Sequence, residues 1–240
     1  MGARDPDFPH EVPAEFVEQA RRLAGPRPVI CDIGSRDALD GIYLSRVLDA
    51  RECHLFEPNP DALAICERNI LKHAAGRPIV LNAVGLSDRE GSASFFPVNV
   101  NKSTHKDIGL SSLFPINPAS TRRDGPVVQD RITIRTTTLD AYFAERPHQP
   151  DLLWIDVEGA ELLVFKGGVR TLENVRVIHV EVSFRPSHLG KPLYWEIDAY
   201  LRQRGFKFLS FMGASRLKAF IYVHRLFWNL PYRWDAVYFR

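Results

Sequence analysis

Short apolar runs alternate along the chain with stretches of helical periodicity. The runs 28–34 (PVICDIG), 53–58 (CHLFEP) and 151–157 (DLLWIDV) predict strands that are buried on both faces. Apolar residues recur at helical spacing over 40–49 and 59–74. Strands that alternate with helices in this way predict a parallel sheet covered by helices on both faces, which is an α/β fold.

The same alternation continues to the end of the chain. The remaining predicted strands are 78–86, 92–98, the first part of 130–143, 175–184, 206–213 and 234–240, and the remaining predicted helices are the end of 130–143, 159–174 and 192–205. Polar and apolar residues alternate over 92–98, which predicts an antiparallel strand. No crossover helix of ordinary length is expected between the last two strands, and we therefore predict an antiparallel edge.

Three helix starts carry recognisable signals. Asn59 precedes Pro60, which predicts an N-cap followed by proline at the first helical position. Asp40 is the expected cap of the helix at 40–49. Glu161 falls in the first turn of the helix at 159–174, where a negative charge suits the helix dipole, and we expect its role to be structural.

The 240 residues are interpreted as one domain with three additions. These are an N-terminal extension with a helix (1–27), a polar loop (99–129) and an insert before the last strand (213–234). The loop is rich in proline, serine and asparagine, and a loop of this length in a compact domain usually has a function. We expect it to contact the substrate, with Ser111 and Ser112 as candidate lining residues.

Composition narrows the classes of protein that fit. With 45% hydrophobic and 25% charged residues, the chain is typical of a soluble globular protein. A net charge of +2 does not favour a nucleic-acid partner. Cys31, Cys53 and Cys66 lack metal-ligand spacing, which indicates free thiols in a reducing compartment and a cytoplasmic protein. The N-terminal residues show no signal-peptide pattern.

Polar residues end nearly every predicted parallel strand. They are Asp32, Glu57, Asn82, Asp156, Glu158 and Glu181. Ligands of open α/β sheets bind outside the carboxyl ends of the strands, so residues that end strands are the first candidates for a site. One acidic strand end suits a helix cap, whereas several together indicate a binding site.

The spacing of the first two strand ends favours a nucleoside ligand. Glu57 lies 25 residues after Asp32, which suits an acid that hydrogen-bonds ribose hydroxyls. The first loop contains only Gly34 and Gly41 and does not match G-x-G-x-x-G, which argues against a pyrophosphate. S-adenosylmethionine is a nucleoside without phosphates, and carboxylates would attract its sulfonium cation.

Six segments resemble the FkbM-type methyltransferases, which use S-adenosylmethionine. They are DIGSRDAL, FEPNPDALAICERNI, NAVGLSDREGSASFF, TTTLDAYF, DLLWIDVEGAELLVFKGG and VIHVEVS, in the order of the family and within residues 28–184. The most specific piece is IDVEGAE followed by FKGG. The resemblance implies a Rossmann-like methyltransferase fold and O-methylation of a sugar or natural-product hydroxyl.

The resemblance also implies roles for individual residues. The first loop, with Asp32, Gly34, Ser35 and Arg36, binds the cofactor; Glu57 binds the ribose; and Pro58, Asn82, Ala83, Val84 and Asp156 complete the expected cofactor site. Ser35-Arg36-Asp37-Ala38 depart from the family pattern after Gly34. Arg36 either pairs with the cofactor carboxylate or crowds it.

Two catalytic schemes fit the acidic residues. A carboxylate of Asp156, Glu158 or Glu181 can accept the hydroxyl proton as the bond to carbon forms. Alternatively, two or three of these carboxylates hold Mg²⁺ or Ca²⁺, which lowers the pKa of the hydroxyl. His179 lies on the same side of its strand as Glu181 and is a further catalytic candidate, although a lone strand histidine is more often part of the core. His105, in the polar loop, is a weaker candidate base.

Three functions are compatible with the sequence. The first is an S-adenosylmethionine-dependent O-methyltransferase that acts on a hydroxyl of a sugar, a glycolipid or another natural product. The second is a binding protein of the same fold that holds the nucleoside without turnover. The third is a nicotinamide-dependent oxidoreductase, which the glycine pattern disfavours.

The insert at 213–234 has an amphipathic pattern. Its apolar helical stripe consists of Leu217, Phe220, Ile221, His224, Phe227 and Trp228. Residues 201–240 contain eight Lys or Arg and one acid, Asp235. The helix either packs on the sheet or on a second subunit of a homodimer, or covers the acceptor site and contacts a glycolipid at the membrane surface, as aromatic and basic residues do in interfacial helices.

Sedimentation with anionic liposomes distinguishes the two hypotheses for the insert. If the helix contacts membranes, the wild type sediments with the liposomes and Lys218→Glu combined with Arg225→Glu remains in solution, because the attraction to anionic lipid is lost. A wild type that stays in solution would contradict the hypothesis of membrane contact. A dimer that Trp228→Ala splits would support packing against a second subunit.

Overall fold

A computed structural model describes residues 8–104, 106–120, 125–213 and 233–240. In chain order the strands are β1 (Val29–Ile33), β2 (Glu52–Phe56), β3 (Ile79–Asn82), β4 (Gly85–Leu86), β5 (Gly91–Phe95), β6 (Ile132–Thr137), β7 (Leu152–Ile155), β8 (Val177–Ser183), β9 (Lys207–Phe211) and β10 (Arg233–Phe239). The helices are α1 (Ala14–Leu23), α2 (Leu39–Val47), α3 (Pro60–His73), α4 (Leu139–Phe143), α5 (Glu161–Lys166) and α6 (Tyr194–Gln203). Two short 3₁₀ turns cover Ile108–Leu110 and Thr171–Glu173.

The central sheet has seven strands in the order β3-β2-β1-β7-β8-β10-β9. The first five pair in parallel, so their carboxyl ends meet at one edge of the sheet. β10 runs antiparallel to both β8 and β9, which confirms the predicted antiparallel edge. The start of β10 therefore lies beside the end of β8, with Arg233 opposite Ser183 and Asp235 opposite Glu181.

Helices cover both faces of this sheet, as predicted. α4, α5 and α6 pack on one face, against residues such as Ile155, Val180 and Tyr238. α1, α2 and α3 pack on the other, against residues such as Ile30, Trp154 and Val237. Each aliphatic or aromatic side chain that is fully buried in this way contributes about 1.5–3 kcal/mol to the free energy of folding.

A second, three-stranded sheet corrects the prediction of one strand over 78–86. β3 ends at Asn82 and β4 joins the separate sheet β4-β6-β5, in which β5 is antiparallel to β6. A tight turn causes the break, since the Val84 amide donates to the Asn82 carbonyl (2.9 Å). The Asn82 side chain also donates to the Leu55 carbonyl (3.0 Å), which holds the turn against the main sheet.

Two predictions about helix ends are wrong. The helix predicted over 159–174 ends at Lys166, and the later part of that range holds the 3₁₀ turn at Thr171–Glu173. At Gly167 the backbone passes so close to the Ser87 carbonyl that a Cβ would lie 2.0 Å from it. Asp40 does not cap α2; Ala38 stands at the N-cap with φ 68°, and the Asp40 carboxylate accepts the Glu11 amide instead (2.7 Å).

The predicted cap of α3 is confirmed. The Asn59 side chain accepts a hydrogen bond from the Asp61 amide (3.2 Å), and Pro60 occupies the first helical position. This start matters for the site because α3 begins directly after Glu57.

The three additions to the domain differ in how much of them is described. α1 lies within 1–27, and short bridges, such as Phe96 with Ser112 and Val98 with Gln129, tie the polar loop to the domain. The proposed helix of the insert lies in 214–232, outside the described residues, and stays a prediction. The three cysteines are free and buried. Among the residues that the structure describes, no helix is long and apolar enough to cross a bilayer.

Candidate functional site

A cavity of about 470 Å³ opens at the carboxyl edge of the parallel strands. Nine of its sixteen lining residues are acidic, namely Glu11, Asp32, Asp37, Asp40, Asp107, Asp156, Glu158, Glu181 and Asp235. Its other lining residues include Arg36 and Arg233 and the aromatic side chains of Trp154 and Trp234. Such a cavity favours ligands that donate hydrogen bonds or carry positive charge.

The first loop brings the ends of β1 and β7 into close contact. Gly34 has φ 86°, and a Cβ there would lie 1.8 Å from the Asp156 carbonyl, so only glycine fits. The Asp32 carboxylate accepts the Gly41 amide (3.1 Å), and the Ser35 hydroxyl donates to the Asp32 carbonyl (2.9 Å). These predicted cofactor residues lie together, and the loop passes directly beside Asp156, the residue that follows β7.

Arg36 closes one side of the loop. Its backbone is left-handed (φ 47°), which directs its amide at a carboxylate oxygen of Glu57 (2.8 Å). Its guanidinium lies 3.1 Å from Glu11 and 3.4 Å from Asp37, so it is already paired with two carboxylates. In this arrangement Arg36 forms part of the cavity wall.

Glu57 is held by its neighbours through both oxygens. One accepts the Asn59 amide (2.8 Å) and the other accepts the Arg36 amide (2.8 Å). Burial raises the pKa of Glu57 to about 7, although the two hydrogen bonds lower it. A carboxylate has about four lone-pair sites, so two remain for the paired hydroxyls of a ribose.

A second, narrower cavity of about 50 Å³ adjoins the first. The two share Gly34, Arg36, Gly109 and Asp156 as lining residues. Besides Glu57, the narrow cavity is lined mainly by apolar residues, which include the predicted Pro58 and Val84. This wall suits a flat, apolar ring.

Asn82 and Ala83 line neither of these two cavities. The Asn82 side chain is used for structure, since its amide donates to the carbonyls of Leu55 (3.0 Å) and Val80 (3.2 Å). The structure therefore brings together the other predicted cofactor residues and leaves these two at the margin.

The predicted carboxylates Asp156, Glu158 and Glu181 form one cluster, with an oxygen of each within 4.8 Å of the others. The Arg233 guanidinium lies 2.8 Å from Glu158 and 3.2 Å from Glu181. The Lys191 ammonium lies 3.5 Å and 3.3 Å from the same two glutamates. The two buried glutamates are thus neutralised by two cations.

Neither cation was predicted from the sequence. A signal for Arg233 was available, because an antiparallel strand next to β8 must begin where β8 ends, and Arg233 begins that strand. Lys191 lies in an irregular segment before α6, and nothing in its sequence pattern indicates the site.

Asp156 differs from its two neighbours. One of its carboxylate oxygens is buried and has no hydrogen-bond partner among the described residues. Burial raises its pKa well above the ordinary range, and the charges of Glu181 and Glu158 raise it further. Asp156 is therefore the member of the cluster best able to accept a proton.

The cluster does not fit a divalent cation as it stands. Arg233 already lies within hydrogen-bond distance of an oxygen of each glutamate, where an ion shared by the two would bind. An ion would have to displace this guanidinium from two buried carboxylates, which costs the energy of both ion pairs.

His179 lies in the core and lines neither cavity. It is 2% exposed and stacks on Trp154, with ring centroids 3.5 Å apart. Burial lowers its pKa to about 3, so it is neutral near pH 7. This environment is that of a packed core histidine, as the alternative interpretation of this residue predicted.

The remaining candidates are placed as follows. Glu161 is buried, and its carboxylate accepts the Gly159 amide (2.9 Å) at the start of α5, in keeping with a structural role. Ser111 lines the narrow cavity, and Ser112 donates to the Glu158 carbonyl (3.0 Å). His105 lies outside the described residues.

Comparisons with known proteins found a family model and relatives that are methyltransferases. The model of the methyltransferase FkbM domain matches residues 32–208. The chain is 33% identical to the 2-O-methyltransferase NoeI of Sinorhizobium fredii (strain NBRC 101917 / NGR234) over 196 residues, which cover 79% of this chain and 76% of that protein. It is 29% identical over 195 residues to the methyltransferase sdnD of Sordaria araneosa, covering 75% of this chain and 73% of that protein.

Solved structures show the same fold. Streptococcus pneumoniae Sp1610, in complex with S-adenosyl-L-methionine, aligns with a TM-score of 0.50 and 12% identity over 94% of this chain and 72% of its own. Precorrin-6y C5,15-methyltransferase of Geobacter metallireducens GS-15 aligns with a TM-score of 0.50 and 12% identity over 95% of this chain and 86% of its own. The fold is Rossmann-like, as predicted from the sequence.

The pKa of Glu57 generates a prediction about ligand affinity. If the ionised carboxylate binds a ribose, S-adenosylhomocysteine should bind about tenfold more tightly at pH 8 than at pH 6, since a group with a pKa of about 7 is mostly protonated at pH 6 and mostly ionised at pH 8. Glu57→Ala should weaken binding at pH 8 by about 1.5–3 kcal/mol and remove the pH dependence. Calorimetry measures both.

Asp235→Asn is the matched control. Asp235 also has a pKa raised to about 7, chiefly by burial, but it lines only the larger of the two cavities. This variant should keep the pH dependence. A wild type whose affinity is the same at both pH values, with the fold intact, would show that Glu57 does not bind the ligand in its ionised form.

Proposed function

This chain belongs to the FkbM methyltransferase family, and from that premise we propose that it transfers the methyl group of S-adenosylmethionine to a hydroxyl of a sugar, a glycolipid or another natural product. The observation that carries the proposal is the position of Asp156, which lines both cavities and has one carboxylate oxygen without a hydrogen-bond partner among the described residues. A base at this position can serve a cofactor in one cavity and an acceptor in the other.

The narrow cavity suits the nucleoside half of the cofactor. Glu57 has lone pairs left for the ribose hydroxyls, and Pro58 and Val84 provide apolar contacts for the adenine. The methionine half then extends past Gly34 into the acidic cavity. Its sulfonium would lie near Asp156, where the carboxylates stabilise positive charge.

The larger cavity suits an acceptor with several hydroxyl groups. Its carboxylates can accept O–H donors, and the aromatic side chain of Trp234 can pack against the C–H groups of a sugar ring. The name of the relative NoeI, a 2-O-methyltransferase, supports transfer to oxygen. Contact with a glycolipid at a membrane surface depends on the insert at 213–234 and remains part of the proposal.

The reaction is an in-line displacement at the methyl carbon. The acceptor oxygen forms a bond to this carbon while the carbon–sulfur bond breaks. The electron pair of the broken bond stays on sulfur, which gives S-adenosylhomocysteine. The hydroxyl proton passes to the Asp156 carboxylate as the new bond forms. Because its pKa is raised, Asp156 is a stronger base than an exposed aspartate.

The neighbouring ion pairs make ionisation of Asp156 less unfavourable. Arg233 and Lys191 offset the charges of Glu158 and Glu181, so Asp156 meets less repulsion when it ionises. Glu158 and Glu181 are then available to accept hydrogen bonds from other hydroxyls of the acceptor through their free lone pairs.

The direct test is methyl transfer to a panel of acceptors. Purified protein with S-adenosylmethionine is incubated with sugars, glycolipids and hydroxylated natural products, and products are identified by mass spectrometry. We expect a mass increase of one methyl group on oxygen for one class. Transfer to nitrogen or carbon alone would contradict O-methylation.

With an acceptor identified, Asp156→Asn should lower kcat by about 10²–10⁴, the usual contribution of a general base. Its melting temperature should change little, because that oxygen accepts no hydrogen bond from any residue that the structure describes. The wild-type rate should rise with pH through the raised pKa of Asp156, since the base acts when deprotonated. Asp151→Asn, at the other end of β7, is the matched control and should keep the wild-type rate. Full activity in Asp156→Asn would show that Asp156 is not the general base.

The pairing of Arg233 generates a further expectation. Incubation with a chelator followed by gel filtration should leave the rate of methyl transfer unchanged, because cations of the chain already occupy the carboxylate cluster. Loss of activity that added Mg²⁺ restores would contradict this expectation and support the metal scheme.

A further inference from the structure

The middle of the polar loop lies over the cofactor cavity. Ile108, Gly109, Ser111 and Leu113 line the narrow cavity together with Pro58 and Val84. The sequence predicted a substrate loop over 99–129, whereas this part of it, which we name the 107–113 turn, faces the space that suits the adenine. The side chains of Ile108 and Leu113 are apolar, as a ring-binding wall requires.

The 107–113 turn is fastened beside Glu57. The Ser111 hydroxyl donates to the Ile108 carbonyl (2.6 Å) and accepts the Val98 amide (3.0 Å). The side-chain amide of Asn59 lies 3.4 Å from the same hydroxyl. Asn59 also donates its backbone amide to Glu57, so the turn and the ribose-binding acid share a neighbour.

The same turn reaches the carboxylate cluster at its other end. The Ser112 hydroxyl, which is buried, donates to the Glu158 carbonyl (3.0 Å). The Leu110 carbonyl lies 3.3 Å from His188, whose other ring nitrogen is 3.9 Å from a Glu158 carboxylate oxygen. Glu158 has a left-handed backbone (φ 49°), a conformation that surrounding contacts must maintain.

We propose that the 107–113 turn forms the outer wall of the adenine subsite and that Ser112 links occupancy of this subsite to the position of Glu158. The inference rests on the proposed function, because it assigns the narrow cavity to adenine. Ile108 and Leu113 contact the ring, and Ser111 and Ser112 are positioning residues. Cofactor that packs against the turn restricts the motion of the turn. The turn then restricts the motion of Glu158 at the acceptor cavity.

Cooperative binding follows from this arrangement. An acceptor that arrives first meets Glu158 held only by its contacts within the apoprotein. Once the cofactor has packed against the turn, the bond from Ser112 holds the left-handed backbone of Glu158 more firmly, so acceptor binding costs Glu158 less conformational freedom. Bound cofactor therefore raises the affinity for the acceptor, and by linkage bound acceptor raises the affinity for the cofactor by the same factor.

Calorimetry with S-adenosylhomocysteine tests the wall. Ile108→Ala and Leu113→Ala should each weaken binding roughly three- to tenfold, because each removes apolar contact with the ring. Ile116→Ala is the matched control, since Ile116 belongs to the same loop but lines neither ligand cavity. It should bind as the wild type does.

The outcomes separate this inference from the function on which it rests. If the wild type binds S-adenosylhomocysteine and both variants bind equally well, the wall is wrong and the proposed cofactor stands. If the wild type does not bind it, both are overturned. If Ile116→Ala weakens binding as much as the other two, the effect belongs to the loop as a whole and the assignment to Ile108 and Leu113 fails.

Hydrogen exchange tests the link to Glu158. Saturating S-adenosylhomocysteine should slow amide exchange over 107–113 and over 158–161 in the wild type. In Ser112→Ala it should slow exchange over 107–113 only, because the bond to the Glu158 carbonyl is absent. Equal protection of 158–161 in both proteins would overturn the link. If Ser112→Ala fails to fold, calorimetry of the Ile108 and Leu113 variants still tests the proposed wall of the adenine subsite.

Discussion

Arg233 and Lys191 place two positive charges between Glu158 and Glu181, and the acidic edge of the sheet depends on them. Two buried carboxylates without cations would repel each other and take up protons. Each glutamate has a compensating cation, and Asp156 beside them has one oxygen without a hydrogen-bond partner in the part of the chain that the structure describes. Removal of either cation would leave a buried charge uncompensated, which usually destabilises a protein by several kcal/mol.

Strand direction explains how a cation reaches that position. Parallel strands bring only their carboxyl ends to this edge, and in this chain those ends are acidic. β10 runs the other way, so it contributes its first residue, Arg233, to the same edge. The antiparallel strand therefore supplies charge to the site in addition to extending the sheet, and it connects the site to the insert that precedes it.

On the side of the proposed cofactor, the structure depends on the contact between Gly34 and the Asp156 carbonyl. It brings the first loop so close to the end of β7 that the two cavities share residues from both. The proposed methyl donor and the proposed base then meet at one point. The 107–113 turn lines the narrow cavity and contacts Glu158 through Ser112, so the proposed cofactor and acceptor sides share a wall.

The sequence by itself determined the sheet of parallel strands, the acidic strand ends and the cap at Asn59, because these depend on hydrophobic periodicity and on bonds between neighbouring residues. It also identified Glu57 and Asp156 as strand-end residues. Only the tertiary structure decided that Lys191 and Arg233 pair with the glutamates and that His179 is packed under Trp154. It also decided that the predicted strand at 78–86 is interrupted after Asn82 and that the predicted helix at 159–174 ends at Lys166. The reason is that these features depend on contacts between residues far apart in the chain, such as Gly167 with Ser87, which local patterns do not encode.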